Sequence, residues 1–209
     1  MTDAERVLQV LIHDIRTPVG VAQGYVRLIR EERLGTAEER DRALARALDA
    51  LSRISRLCDE ASGFLPAGHM LPFTAVSAVA LVSAVEARVH ACGFVIDRSR
   101  LDPQARVRMR VGTERLGDAV GTLLATVCEP RGATAPTLRV ATTATELELT
   151  AARTLESPAG VSAEAPFDAW SVRGLAVPAA CYAIADNGGQ VRQAGRSLLV
   201  ALPLEITHA

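Results

Sequence analysis

The chain has 209 residues, 49% of them hydrophobic and 22% charged, with a formal net charge of −1. That length sets an expectation of one to two domains with enough apolar material for a packed core, and the balanced charge excludes a disordered polyelectrolyte. Near-neutrality argues against phosphate-driven nucleic-acid binding, which needs a basic surface.

No apolar run approaches the roughly 18 residues that cross a bilayer, and residues 1–5 lack the basic-then-apolar pattern of a secretory signal. A cytoplasmic protein with neither membrane nor nucleic acid as partner is expected. All 23 basic residues are arginine, which removes the lysine that P-loop and Schiff-base chemistry need. Cys58, Cys92, Cys128 and Cys181 stand more than 30 residues apart, with no C-x-x-C. They are expected to be small buried thiols of a reducing compartment, with no metal role.

Residues 1–64 read as two long helices and nothing else. Thr2-x-x-Glu5 and Thr36-x-x-Glu39 have the form of capping boxes, and Gly35 suits the left-handed position after a helix end. The short connection predicts an antiparallel hairpin. In the first helix Leu8, Ile12, Ile15, Val19, Ala22, Val26 and Ile29 follow steps of 4, 3, 4, 3, 4 and 3, a heptad seam. Leu44, Ala47, Leu51, Ile54, Cys58 and Ala61 answer in the second. Its other face carries Arg40, Arg42, Arg46, Arg53, Arg56, Asp49 and Asp59. Two such helices bury little alone, so a homodimer closing a four-helix bundle is expected.

Residues 64–72, with two prolines and a glycine, mark a linker. Beyond it, residues 73–209 alternate helical and strand patterns. Helices are expected over 76–91 (Val79, Val82, Val85 and Val89 on one stripe), 113–128 and 172–186. Strands are expected at 94–97, 107–110, 138–142 and 147–151, with a closing hairpin over 190–193 and 197–202. This order predicts a two-layer α/β sandwich with a mixed or antiparallel sheet, and an α+β chain as a whole. Residues 153–166 are expected to form a loose loop.

The chemistry concentrates at His13-Asp14-Ile15-Arg16-Thr17-Pro18. With Ile12 on the seam, His13 points away from it. Pro18 lacks the N–H that would bond the Asp14 carbonyl. A neutral exposed imidazole is a nucleophile, and an ordinary histidine pKa of about 6.5 keeps much of it neutral at cytoplasmic pH. Asp14 can accept one imidazole N–H and leave the other nitrogen to attack phosphorus. Arg16 can pair with phosphate oxygens, and Thr17 could orient a water. His13, Thr17, Gly20 and Gly24 share one helical face, three of the four small. That stripe either admits a partner or permits close helix crossing. His69, His90 and His208 have no metal-ligand spacing, and Trp170 with Phe167 reads as core.

The octapeptide Ile12–Val19 closely resembles the H-box of two-component histidine kinases. Glu114–Val127 resembles that family's N-box helix. Arg173-Gly174-Leu175-Ala176-Val177, Asn187-Gly188-Gly189-Gln190-Val191 and Leu199–Leu204 resemble the close of its ATP-binding domain. The resemblance implies a dimerisation and phosphotransfer hairpin followed by an ATPase-like α/β domain, but the nucleotide residues depart from the pattern. Thr122 and Thr126 stand where the N-box carries asparagines. Ala151-Ala152-Arg153-Thr154-Leu155 replaces the adenine-binding D-x-G-x-G, and Gly174 alone remains of the phosphate-contacting glycine box. Asp186-Asn187-Gly188-Gly189 imitates the former too late in the chain.

With these departures the resemblance implies a degenerate domain without ATP or a bound metal, and a histidine phosphotransferase similar to the ChpT-like and sporulation-relay proteins. His13, Asp14, Arg16 and Thr17 would act on response-regulator receiver domains that bring their own Mg²⁺. A weakly active kinase and a non-enzymatic pseudokinase regulator are the alternatives.

Overall fold

A computed structural model of the chain describes residues 3–62, 72–128, 135–152, 175–194 and 197–205. The chain divides into two compact units, Met1–Leu65 and Pro66–Ala209.

The first unit is a helical hairpin of α1 (Asp3–Arg30) and α2 (Ala37–Ser62). Helix α1 runs through Pro18 without interruption. Among its half-buried and buried side chains, the row Leu11, Ile15, Pro18, Ala22, Tyr25 and Ile29 again steps 4, 3, 4, 3, 4. They meet an α2 row of Ala43, Ala47, Ala50, Ile54, Leu57 and Ala61, where four alanines allow close approach. The predicted seams therefore split. Ile15, Ala22 and Ile29 of α1, with Ala47, Ile54 and Ala61 of α2, lie inside the hairpin. Leu8, Ile12 and Val26, with Leu44, Leu48 and Leu51, stay half exposed. Two helices can cover only one of the two apolar rows that a heptad presents. Cys58 belongs to the outer row and is exposed, and Cys92 is only partly covered. Both depart from the expected burial, whereas Cys128 and Cys181 are buried.

At the hairpin tip the left-handed residue is Glu32, with φ of 52°, and not Gly35 as expected. Arg33 N–H bonds the Leu28 carbonyl at 3.1 Å, a Schellman closure that places Glu32 just past the helix end. Gly35 instead donates its N–H to the Glu39 carboxylate at 2.9 Å. The capping box of α2 forms as read: Glu39 N–H bonds Thr36 Oγ1, and Thr36 N–H bonds Glu39 Oε2, both at 3.2 Å. Thr2, of the other predicted box, lies outside the described residues.

The second unit contains β1 (Thr74–Ser77), α3 (Ala78–Val89) with a 3₁₀ turn at His90–Cys92, β2 (Val95–Arg100), β3 (Arg106–Met109), α4 (Thr113–Val127), β4 (Thr137–Thr142), β5 (Glu146–Ala152), α5 (Ala176–Asp186), β6 (Gln190–Ala194) and β7 (Ser197–Pro203). Five strands form a mixed sheet in the order β2-β4-β5-β7-β6, with β2 parallel to β4 and the remaining pairs antiparallel. One face is apolar: Leu138 and Val140, then Leu147, Leu149 and Ala151, then Leu198, Val200 and Leu202. Against it pack Leu81, Val82, Val85 and Val89 of α3, Leu116, Val120, Leu123, Leu124 and Val127 of α4, and Val177, Cys181 and Ile184 of α5. Burial pushes the Cys181 thiol up to about 12.

Strand β1, which pairs antiparallel with β3 in a separate two-stranded sheet, was not expected from the sequence. Ser77 stops it by accepting the Ala80 N–H, so α3 begins at Ala78 rather than at 76. Within α3 the buried stripe includes Leu81, while the predicted Val79 is only partly covered. Helix α4 presses on α3 through two glycines. A Cβ on Gly117 would stand 2.5 Å from the Ala84 Cβ, and one on Gly121 would stand 2.6 Å from the Arg88 Cβ. The loop expected over 153–166, residues 64–71 of the expected linker with His69, and Phe167, Trp170, Arg173, Gly174 and His208 lie outside the described residues.

Candidate functional site

Helix α1 carries His13 on its open side, with 85% of the side chain exposed. Its Nδ1 lies 3.0 Å from Asp14 Oδ1. A carboxylate there accepts the Nδ1 proton and leaves Nε2 with a lone pair toward solvent. Arg16 and Thr17 are also exposed, Thr17 one turn from His13 on the same face. Pro18 is buried against α2 and donates no hydrogen bond to the Asp14 carbonyl. At Gly20 and Gly24 an added Cβ would meet nothing within 4 Å. Close crossing inside the hairpin therefore does not explain these glycines, and the lane beyond His13 and Thr17 is open.

Below Thr17 lies a groove of about 300 Å³, walled by Thr17, Pro18 and Val21 of α1 and by Arg46, Asp49, Ala50, Arg53 and Arg56 of α2. The sequence places these arginines on the face of α2 away from its apolar row and gives no groove. Their steps of 3, 4 and 3 from Arg46 through Asp49 and Arg53 to Arg56 were the available signal. Nearby on α2, the pKa of half-buried Glu60 is raised, first by desolvation. The Asp14 charge adds to the rise, and Arg56 opposes it.

In the second unit the residues that resemble nucleotide contacts have other occupations. The Thr122 hydroxyl accepts a hydrogen bond from Arg88 Nε at 3.3 Å. Asn187 is wholly buried. Its Oδ1 accepts the backbone N–H of Arg110 at 2.7 Å and of Val111 at 3.2 Å, and its Nδ2 donates to the Ala183 carbonyl at 2.7 Å. Asn187 thus fastens the end of β3 to the end of α5. Thr126 is partly covered between Ala125 and Val127. Two hydroxyls, one of them already engaged, make a poor donor set for a hard cation held against phosphates. Among the described residues no cluster of three or more His, Cys, Asp or Glu could hold a metal ion, and no helix is long and apolar enough to cross a membrane.

Residues 3–62 match the His Kinase A (phospho-acceptor) domain. The fold is shared with solved histidine kinases. Against the Acinetobacter baumannii histidine kinase AdeS the TM-score is 0.61 at 15% identity, over 94% of this chain and 98% of that one. Against histidine kinase ThkA in complex with response regulator protein TrrA it is 0.60 at 16% identity, over 98% of this chain and 64% of that one. Full-length ShkA in complex with AMPPNP gives 0.54 at 20% identity, and the chain spans 47% of its length. No curated protein sequence matches the chain. Over residues 3–62 the hairpin thus has the sequence pattern of a phospho-acceptor domain, and the chain shares the fold of solved histidine kinases. Its N-terminal unit matches the phospho-acceptor domain, and its C-terminal unit is covered by the same fold likeness.

Proposed function

We infer that this chain is a histidine phosphotransferase of a His–Asp phosphorelay. One observation carries the reading: an exposed imidazole with Nδ1 tied to Asp14 and Nε2 open. Nε2 attacks the phosphorus of an aspartyl phosphate on a receiver domain. An N–P bond forms, the P–O bond to the aspartate breaks, and the carboxylate leaves with the electron pair. The return step runs the same exchange toward a second receiver. Asp14 holds the tautomer and offsets the positive charge on the phosphorylated ring. Arg16 pairs with phosphoryl oxygens. Thr17 orients a water when phosphate is lost.

Response-regulator receiver domains are the partners. A related fold, ThkA, is found with a response regulator. The Mg²⁺ belongs to the receiver's acidic pocket, so this chain brings no cofactor. Support for the absence of ATP chemistry comes from the hydroxyls of Thr122 and Thr126 at the positions where the resembling helix carries asparagines. Half-exposed Leu8, Ile12, Val26, Leu44, Leu48 and Leu51 support a homodimer closing a four-helix bundle. Receivers of this kind act in the cytoplasm, where the reading places the chain.

The test is a phosphotransfer profile with ³²P-labelled receivers and ATP–Mg²⁺ alone as a control. Label passing from a receiver to the wild type, and lost in His13→Ala, is expected. Label taken directly from ATP would establish the weakly active kinase instead, and no label from any source, with regulator binding intact, would establish the pseudokinase.

A further inference from the structure

Val107 and Met109 turn one face of β3 into the core of the α/β unit, so Arg106, Arg108 and the following Arg110 share the other. Phe73, one residue before β1, meets that face. The guanidinium carbons of Arg108 and Arg110 each lie over its ring, 4.3 Å from the centre. The two cations are therefore no more than twice that distance apart. Most arginines nearby are spent on internal partners: Arg88 on Thr122, Arg98 on Glu86, and Arg106 on the Ala75 carbonyl at 2.7 Å and on Glu205 at 3.6 Å. Arg108 departs from this economy, with the ring and no hydrogen bond or ion pair among the described residues. Arg110 has one carboxylate at the limit of reach, Asp186 at 4.0 Å from Nη1, and its buried Nε finds no acceptor. A ring contact returns less than a buried N–H without an acceptor costs, and like charges this close repel. Packing on Phe73 alone does not account for the pair. It also leaves most of the guanidinium donors unspent.

We propose that Arg108 and Arg110, steadied by Phe73, form a binding site for a phosphate group, either free or carried by a small ligand. A tetrahedral dianion offers oxygens to donors on both guanidiniums at once and offsets their mutual repulsion. A single carboxylate serves one side only: Asp186 stands beside Arg110 and leaves Arg108 without an anion. The bound group would tie the approach to β1 to the end of β3, where Asn187 already holds the N–H groups of Arg110 and Val111. The site lies within the α/β unit and needs neither His13 nor the phosphorelay reading.

Inorganic phosphate titrated into the isotopically labelled full chain, at ionic strength held constant with sodium chloride, provides the test. NMR follows the Nε–Hε signals of Arg108 and Arg110 and the backbone amides over 73–75 and 107–111. Saturable shifts there are expected. Binding should weaken about tenfold in R108Q and stay unchanged in R106Q. F73L keeps an apolar side chain but releases both guanidiniums, and should weaken binding as well. Phosphate should raise the thermal midpoint of the wild type and leave that of R108Q where it was. Adenosine 5′-monophosphate separates the sources. Tighter binding than phosphate at the same signals assigns the site to a nucleotide phosphate, and weaker binding assigns it to free phosphate. Shifts that never saturate, acetate binding as well as phosphate, undiminished binding in R108Q, or nucleotide shifts confined to Thr122 and Thr126 would each overturn the proposal. Loss of phosphoryl transfer at His13, read in the receiver assay, would leave it standing.

Discussion

The two units of the chain use apolar residues in opposite ways. The largest fully buried side chains among the described residues, from Leu81 and Met109 to Ile184 and Leu198, all belong to the α/β unit. Of the eight exposed large hydrophobics among the described residues, seven, Leu8, Ile12, Val21, Val26, Leu44, Leu48 and Leu51, belong to the hairpin. A sheet covered by three helices completes its core within one chain, whereas two helices cannot. The hairpin is therefore the unit that leaves apolar surface open, and it also carries the exposed imidazole of His13. The α/β unit spends even its polar groups internally, as Asn187 and the Arg88–Thr122 pair illustrate.

The largest effect separates chemistry from packing. His13→Ala should abolish phosphoryl acceptance in a receiver-transfer assay while leaving the circular-dichroism melt of both units unchanged. Next, Leu123→Ala in the sheet-facing core should cost about 2–5 kcal/mol in the denaturant transition of the α/β unit. Gly117→Ala should cost about 1–3 kcal/mol through the clash with Ala84. Label on His13 should survive both, and its loss would show that the hairpin depends on its neighbour.

Leu44→Glu combined with Leu51→Glu should shift sedimentation from dimer to monomer, and an unchanged sedimentation coefficient would remove the four-helix bundle. Smaller still, Gly20→Ala and Gly24→Ala should each stabilise α1 by about 1 kcal/mol, since nothing nearby resists the methyl. A matching loss of partner affinity would show that the bare lane serves docking.

Glu60 supplies a pH test of small magnitude. Its folded pKa is raised, so the native hairpin binds the proton more tightly than the unfolded chain does. Its contribution to stability is present below the unfolded carboxylate pKa and is lost as pH rises through the raised one. Glu60→Gln should accordingly hold or raise the thermal midpoint at neutral pH and flatten its dependence across the carboxylate range.

Much of the molecule was legible from residue order. His13 with its acid, the Thr36–Glu39 box and the alternation of β4, β5 and β7 are local signals, and local signals survive folding. What could not be read depended on partners far away in sequence. The heptad rows of α1 look equivalent until α2 covers one of them. Strand β1 merges into the pattern of α3 because four residues are too few to show a period, and only pairing with β3 defines it. Gly35 suited a left-handed turn, but the acceptor at Leu28 placed that turn at Glu32. The groove residues of α2 read only as a polar face: their spacing was visible, but which of them line a groove depends on the side chains of α1 opposite.

Asn187 is followed by Gly188, the dipeptide in which a side-chain amide most readily cyclises onto the next backbone nitrogen and is lost as ammonia. Here that nitrogen's N–H is donated to the Ala185 carbonyl at 2.8 Å, while the amide is gripped at both its oxygen and its nitrogen. The ring-closing geometry is out of reach while the fold stands. An unfolded copy ages at this point, because hydrolysis of the ring would leave a carboxylate or a kinked isoaspartyl link where the latch needs a donor. Each long excursion out of the native state thus risks becoming permanent, and tight packing around one amide protects the molecule's covalent lifetime as well as its shape.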